Sequence, residues 1–130
     1  MTPRLERILL VEDDPDVRTV ARMALELVGG FHVRTCSSGA EALDAVSQNA
    51  PQLILLDVMM PGMDGPAVLQ QLRASPLTRG ITVIFMTAMV QPAQVEQLRA
   101  LGALDVIAKP FDPMTLAETV GRIWARQDAC

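Results

Sequence analysis

Leu53-Ile54-Leu55-Leu56-Asp57-Val58-Met59-Met60-Pro61-Gly62-Met63-Asp64-Gly65 is the stretch on which the fold turns. Its first four residues are apolar without alternation, too short for a helix and unlike a strand with one wet face. That pattern suits a strand buried on both sides, as in a parallel sheet. The run then stops on a carboxylate, and Pro61-Gly62 and Asp64-Gly65 mark turns and a capped helix start. Ile8-Leu9-Leu10-Val11 and Val83-Ile84-Phe85-Met86 are runs of the same kind. Val106-Ile107-Ala108 reads as another, and the more alternating His32-Val33-Arg34-Thr35-Cys36 as an edge strand.

Helical patterns with defined starts lie between these runs. Asp14-Pro15 supplies an N-cap and a proline at the first helical position. The helix it opens is expected to bury Val17, Val20, Ala21, Ala24, Leu25 and Val28, and to stop at Gly29-Gly30. Ser38-Gly39-Ala40-Glu41 has capping-box spacing, with Ala42, Leu43 and Val46 on one face beyond it. Asp64 caps a third helix carrying Val68, Leu69 and Leu72. A weaker fourth is expected from about Pro92 to Leu101, with Val95 and Leu98 inward. Asp112-Pro113 repeats the cap-and-proline device before Leu116, Val120, Ile123 and Trp124. Strand and helix thus alternate five times over. This predicts an α/β chain with right-handed crossovers and a parallel sheet covered by helices on both faces. No linker, repeat or low-complexity tract interrupts it. One domain is expected over residues 1–130, its core at about 6–127, with no output domain.

Half of the 130 residues are apolar, enough for a sizeable core, while aromatics are only 3% and tyrosine is absent. Base- or sugar-stacking surfaces are therefore not expected. A net charge of −4 and a pI near 4.8 argue against direct nucleic-acid contact and against an anionic membrane surface. Cys36 and Cys130 form neither a disulfide framework nor metal-type spacing, which suits a reduced, cytoplasmic setting. The start of the chain lacks an apolar signal core, and no apolar run approaches the roughly 18 residues of a membrane span.

In a doubly wound sheet, ligands gather beyond the carboxyl ends of the strands. The residues there are Glu12-Asp13-Asp14, Asp57, Thr87-Ala88 and Lys109-Pro110. Glu12, Asp13 and Asp57 would place several carboxylates at one sheet edge. Two unit charges about 4 Å apart repel by roughly 4 kcal/mol at an effective dielectric of 20. Such a cluster persists only if a group is protonated or a cation lies between them. Hard carboxylate oxygens with room for water describe a Mg²⁺ site. Phosphoryl transfer needs a positioned nucleophile and positive charge on the moving oxygens. Asp57 can be that nucleophile, with Mg²⁺, the Lys109 ammonium and the Thr87 hydroxyl each serving one phosphoryl oxygen.

Four segments carry a resemblance: Ile8-Leu9-Leu10-Val11-Glu12-Asp13-Asp14, Leu53 through Gly65, Phe85-Met86-Thr87-Ala88 and Ala108-Lys109-Pro110-Phe111. Each is short, but they occur in order, each at the end of an apolar run. In this the chain resembles the response-regulator receiver family over nearly its whole length. The resemblance implies a flavodoxin-like, doubly wound (βα)5 three-layer sandwich with strand order 2-1-3-4-5. It implies that Asp13 binds Mg²⁺ directly and Glu12 through water, and that Asp57 is both metal ligand and phosphoacceptor. The backbone carbonyl of Met59 would be a further ligand, Thr87 the switch hydroxyl and Lys109 the family lysine, preceding a cis bond to Pro110. The implied donor is a phosphohistidine on a histidine kinase or phosphotransfer protein, and the reader an unnamed partner protein. The implied activity is a signalling switch that assists its own phosphorylation and dephosphorylation, as a monomer or weak dimer.

Departures from the family pattern are also legible. Val106 stands three residues before Lys109, where such proteins commonly carry an aromatic residue that moves with the threonine, so a smaller rearrangement of the fourth helix and fifth strand is expected. Met59 and Met89 lie two residues beyond Asp57 and Thr87, and neither can position water by a strong hydrogen bond, so slow loss of the phosphoryl group is expected. Blander roles suit the remaining residues. Asp14 and Asp64 read as caps, Gly65 as a turn residue and His32 as a surface histidine. Met59, Met60 and Met63 read as loop packing, and Trp124 as helix-face core or a partly exposed patch.

Three other functions compete. A Mg²⁺ phosphatase with an aspartate nucleophile would place it after the first strand in a D-x-D pattern, whereas Asp57 follows the third. A binding-only relative of the receivers would not need the intact set of Glu12, Asp13, Asp57, Thr87 and Lys109. A flavin site would want a hydroxyl-rich phosphate loop after the first strand, where this chain carries three carboxylates.

Overall fold

A computed structural model describes residues 3–128. The elements run β1 (Arg7–Val11), α1 (Pro15–Met23), β2 (His32–Cys36), α2 (Gly39–Gln48), β3 (Leu53–Asp57), α3 (Gly65–Ala74), β4 (Thr82–Thr87), α4 (Pro92–Ala100), β5 (Asp105–Ala108) and α5 (Leu116–Ala125). The five strands form one parallel sheet in the order β2-β1-β3-β4-β5. This is the flavodoxin-like receiver arrangement, with β2 at an edge as its alternation suggested.

The continuous apolar runs are explained by burial on both faces. Leu9, Val11, Ile54, Leu56, Val83 and Phe85 pack on one side with Ala42 and Val46 of α2 and Val68, Leu69 and Leu72 of α3. Ile8, Leu10, Leu53, Leu55, Ile84 and Met86 face the other side, against Ala21 of α1 and Leu116, Val120 and Ile123 of α5. Successive strand residues thus alternate between two cores. Every residue of β3, Asp57 included, is buried.

The caps hold α1 and α3 as expected. Asp14 Oδ1 accepts the Asp16 and Val17 N–H groups at 2.9 and 3.2 Å, and Asp64 Oδ1 accepts that of Ala67 at 2.9 Å. Ser38 Oγ caps α2 by accepting the Glu41 N–H at 3.1 Å, but the Glu41 carboxylate turns to Ser37 instead of closing a box on Ser38. Trp124 is core, with its indole N–H donating to the Pro3 carbonyl at 2.9 Å.

Three expectations are corrected. Val20 and Val28 are 43% and 51% exposed instead of buried. After Met23 the helix widens into a π-helical stretch, Ala24–Val28, so the 3.6-residue period that would turn Val28 inward no longer applies. The fifth helix begins at Leu116, not at Pro113. There the Asp112 carboxylate accepts the Met114 N–H at 2.9 Å, and its carbonyl accepts those of Thr115 and Leu116. A turn is closed first and the helix follows it.

Two structural features have no local signature. Asp105, at the start of β5, is a buried carboxylate held by Arg99, by Arg126 and by the Val106 N–H. Burial pushes its carboxyl up, but these partners outweigh that and hold it below the usual range. Gly65 lies where a side chain has no room: a Cβ would come within 2.5 Å of the Asp57 carbonyl oxygen and 3.0 Å of Phe85. Its own N–H donates to the Val58 carbonyl at 3.0 Å, which pins the start of α3 against the end of β3. Close approach, not turn conformation, therefore requires this glycine. Gly65→Ala is expected to cost about 1–3 kcal/mol by overpacking. A urea midpoint equal to that of the parent would show that α3 yields freely.

Candidate functional site

Register brings the strand ends into line. Val11 pairs with Leu56, Asp57 with Met86 and Thr87 with Ala108. The ladder continues past the strands, because the Glu12 N–H donates to Cys36, the Val58 N–H to Met86 and the Lys109 N–H to the Thr87 carbonyl. Glu12, Asp57, Thr87 and Lys109 are thereby fixed by backbone hydrogen bonds at one edge of the sheet. Arg18 adds a support from α1 that the sequence reading missed, donating to the Glu12 carbonyl at 2.9 Å.

The expected cluster forms. Glu12, Asp13 and Asp57 each offer a carboxylate oxygen, all within 4.8 Å of one another. Lys109, the only lysine in the chain, approaches Glu12 Oε1 at 2.5 Å and Asp57 Oδ1 at 3.1 Å. Glu12 and Asp57 are buried, whereas Asp13 is more open to solvent. The Lys109 ammonium is thus the direct partner of the buried Glu12 Oε1. Three carboxylates against one ammonium leave negative charge uncompensated. Burial, then the hydrogen bond with Asp57, pushes the Glu12 carboxyl up to about 7 against the pull of Lys109. Burial also acts upward on Asp13, but hydrogen bonds with Glu12 and Asp57 and the Lys109 charge outweigh it, so its carboxyl is lowered. Desolvation acts downward on Lys109, yet its bonds to Glu12 and Asp57 outweigh that and raise it.

The donor set suits a hard divalent cation. It offers three carboxylates with an oxygen each within 4.8 Å of one another, against a single ammonium. Thr87 is buried, and its Oγ1 accepts the Met89 N–H at 3.0 Å. A hydroxyl has a donor to spare in that arrangement. The Met59 N–H lies 3.4 Å from Asp57 Oδ1. The Met59 side chain is 67% exposed, which corrects its reading as loop packing, whereas Met60 is buried as expected. Lys109-Pro110 is cis. Val106 is half-buried on the side of the sheet that carries α3. His32, at the start of β2, is exposed and belongs to the opposite end of the sheet. Burial pushes the Cys36 thiol up to about 11, which makes it unreactive, and Cys130 lies outside the described residues.

A family model for the response regulator receiver domain matches residues 8–121. The chain belongs to the response regulator receiver family. It is 36% identical to the response regulator Rre1 of Synechocystis over 94% of its own length, and to sporulation initiation phosphotransferase F of Bacillus subtilis over 82%. It covers 53% of the first and 84% of the second, and spans about half the length of the other leading curated relatives. Among solved structures, the chemotaxis response regulator CheY4 of Vibrio cholerae superposes with a TM-score of 0.85 at 28% identity, covering 92% of this chain and 98% of that one. The chain is thus a receiver domain of the two-component response regulators. It carries an acidic cluster capable of holding a metal ion, and no helix among the described residues is long and apolar enough to cross a membrane.

The Glu12 shift gives a pH dependence with a definite sign. Between 4.5 and about 7 the folded receiver keeps a proton that the unfolded chain has released. Stability of the metal-free protein is therefore expected to fall as pH rises through that window. Urea midpoints at about pH 5 and about pH 8 in a chelator measure the drop. Glu12→Gln is expected to remove it, and a drop that survives this substitution belongs to another group.

Proposed function

We propose that this receiver accepts a phosphoryl group on Asp57 from a phosphohistidine of a histidine kinase or phosphotransfer protein. The observation that supports this is the meeting of Asp57, Glu12, Asp13 and Lys109 in one charge cluster. Glu12, Asp13, Asp57 and the Met59 carbonyl would hold Mg²⁺. Bound there, the ion would screen the incoming phosphate from the carboxylates and draw charge from one of its oxygens. An Asp57 oxygen is the nucleophile. Lys109, whose ammonium lies 3.1 Å from Asp57 Oδ1, turns that ammonium to a second phosphoryl oxygen. Thr87 donates its hydroxyl hydrogen to a third while still accepting from Met89. With Lys109 drawn to the phosphate, Glu12 would need a bound cation as its counter-charge.

Thr87 and Val106 form the switch in this reading. Movement of Thr87 toward the phosphate pulls on the loop after β4 through Met89, and Val106, smaller than an aromatic residue, leaves less to swing behind it. The output is a changed surface for a downstream protein and not turnover of a substrate. The reading includes a single receiver domain over residues 1–130, cytoplasmic, a monomer or weak dimer, with no direct nucleic-acid contact.

Incubation with a small acyl phosphate and Mg²⁺, followed by intact mass, is expected to add one phosphate to the parent and none to Asp57→Asn. Chelation of Mg²⁺ is expected to abolish uptake. Phosphate on the Asp57→Asn protein would overturn the assignment. For the switch, a beryllofluoride complex should shift α4 and β5 only slightly from the free positions. A large displacement would refute the role given to Val106.

A further inference from the structure

Glu12 is the first residue past β1, and its N–H and carboxylate find partners in the sheet and the cluster. The N–H donates to the Cys36 carbonyl at 3.0 Å. The carboxylate faces Lys109 and accepts the Asp14 N–H at 3.2 Å. The Glu12 carbonyl is placed differently. β2, the neighbour that the N–H engages, ends at Cys36, and the chain turns there toward the Ser38 cap of α2. A part-buried carbonyl left without a donor is costly. Arg18 supplies the donor from α1, one turn past the Asp14 cap, with Nη1 at 2.9 Å from the Glu12 oxygen.

The choice of acceptor is informative. Arg18 follows Glu12, Asp13, Asp14 and Asp16 in the chain, yet among the described residues it forms an ion pair with none of them. The carboxylate oxygens keep their charge for a cation. The carbonyl that Arg18 holds belongs to the Glu12–Asp13 peptide, a planar unit, so fixing its oxygen fixes the plane from which the Asp13 backbone departs. On its other side Asp13 is bounded by Asp14, whose N–H is tied to the Glu12 carboxylate and whose side chain caps α1. Asp13 is thus held through the backbone on both sides. It needs this more than its partners do, because Glu12 and Asp57 are buried and Asp13 is more open to solvent.

We infer that Arg18 is a positioning residue for the acidic site, aiming the Asp13 carboxylate toward Glu12 and Asp57 through the Glu12 carbonyl and touching neither cation nor phosphate itself. This rests on the three carboxylates holding Mg²⁺, as proposed above. A guanidinium suits the task, since it has donors in a fixed fork and no acceptor to offer a cation. The sign of its effect separates positioning from plain charge. Removing a positive side chain beside an acidic cluster would by itself tighten cation binding. Removing the support of a metal-binding side chain weakens it, by roughly ten- to a hundredfold.

The test is a Mg²⁺ titration of the whole chain at fixed ionic strength, followed by the amide resonances of Asp13, Asp57 and Met59, with urea midpoints measured in a chelator. Arg18→Met is expected to bind Mg²⁺ at least about tenfold more weakly than the parent. Arg18→Lys, which keeps the charge and a donor on a different stem, is expected to recover part of that loss. If Arg18→Met does not fold, Arg18→Gln takes its place, neutral and shorter, with the same weakening expected. A neutral variant that binds Mg²⁺ as the parent does, or more tightly, overturns the inference whatever its urea midpoint. So does an Arg18→Lys protein that binds no better than the neutral variant. A parent whose resonances ignore Mg²⁺ sinks the metal reading, and this inference with it.

Discussion

One ammonium set among three carboxylates is the constraint from which the rest of this receiver follows. Glu12 and Asp57 end neighbouring buried strands, so neither can turn to water to dilute its charge. Lys109 reaches both, and the excess that remains is the driving force for binding a cation. The sheet supports this cluster through backbone hydrogen bonds that run one residue beyond each strand. The two cores, one on each face, hold the strands in the register that aligns those ends.

Much of this was readable from the chain because strand ends carry a simple signal. An unbroken apolar run that stops on Glu12, Asp57 or Thr87 locates a site residue without any tertiary information. The caps at Asp14, Ser38 and Asp64 are equally local, since each side chain bonds a backbone N–H two or three residues on. What stayed hidden depends on partners distant in sequence. The Asp105 clamp draws Arg99 from α4 and Arg126 from just after α5, so nothing near Asp105 announces it. Gly65 looks like a turn residue until the Asp57 carbonyl is seen pressed against it. Val28 looks buried until the π-helical stretch shifts its phase.

The same packing explains how a change at Asp57 can be felt elsewhere. β3 is rigid, with every side chain buried, and α3 starts directly behind its last carbonyl. The loop after β4 is less constrained. Thr87 holds it by a single hydrogen bond to Met89, and α4 beyond it lacks a side-chain cap and buries only Leu98. Structural change is therefore expected to travel toward α4, where few contacts oppose it, and not toward α3.

Lys109 carries one further consequence. Every other side-chain cation among Lys and Arg in this chain is a guanidinium, which keeps its charge throughout the ordinary pH range. The only primary amine on a side chain is the one that balances the acidic cluster. Acylation of side-chain amines can thus reach a single position, and the charge it would erase is the one the cluster cannot do without.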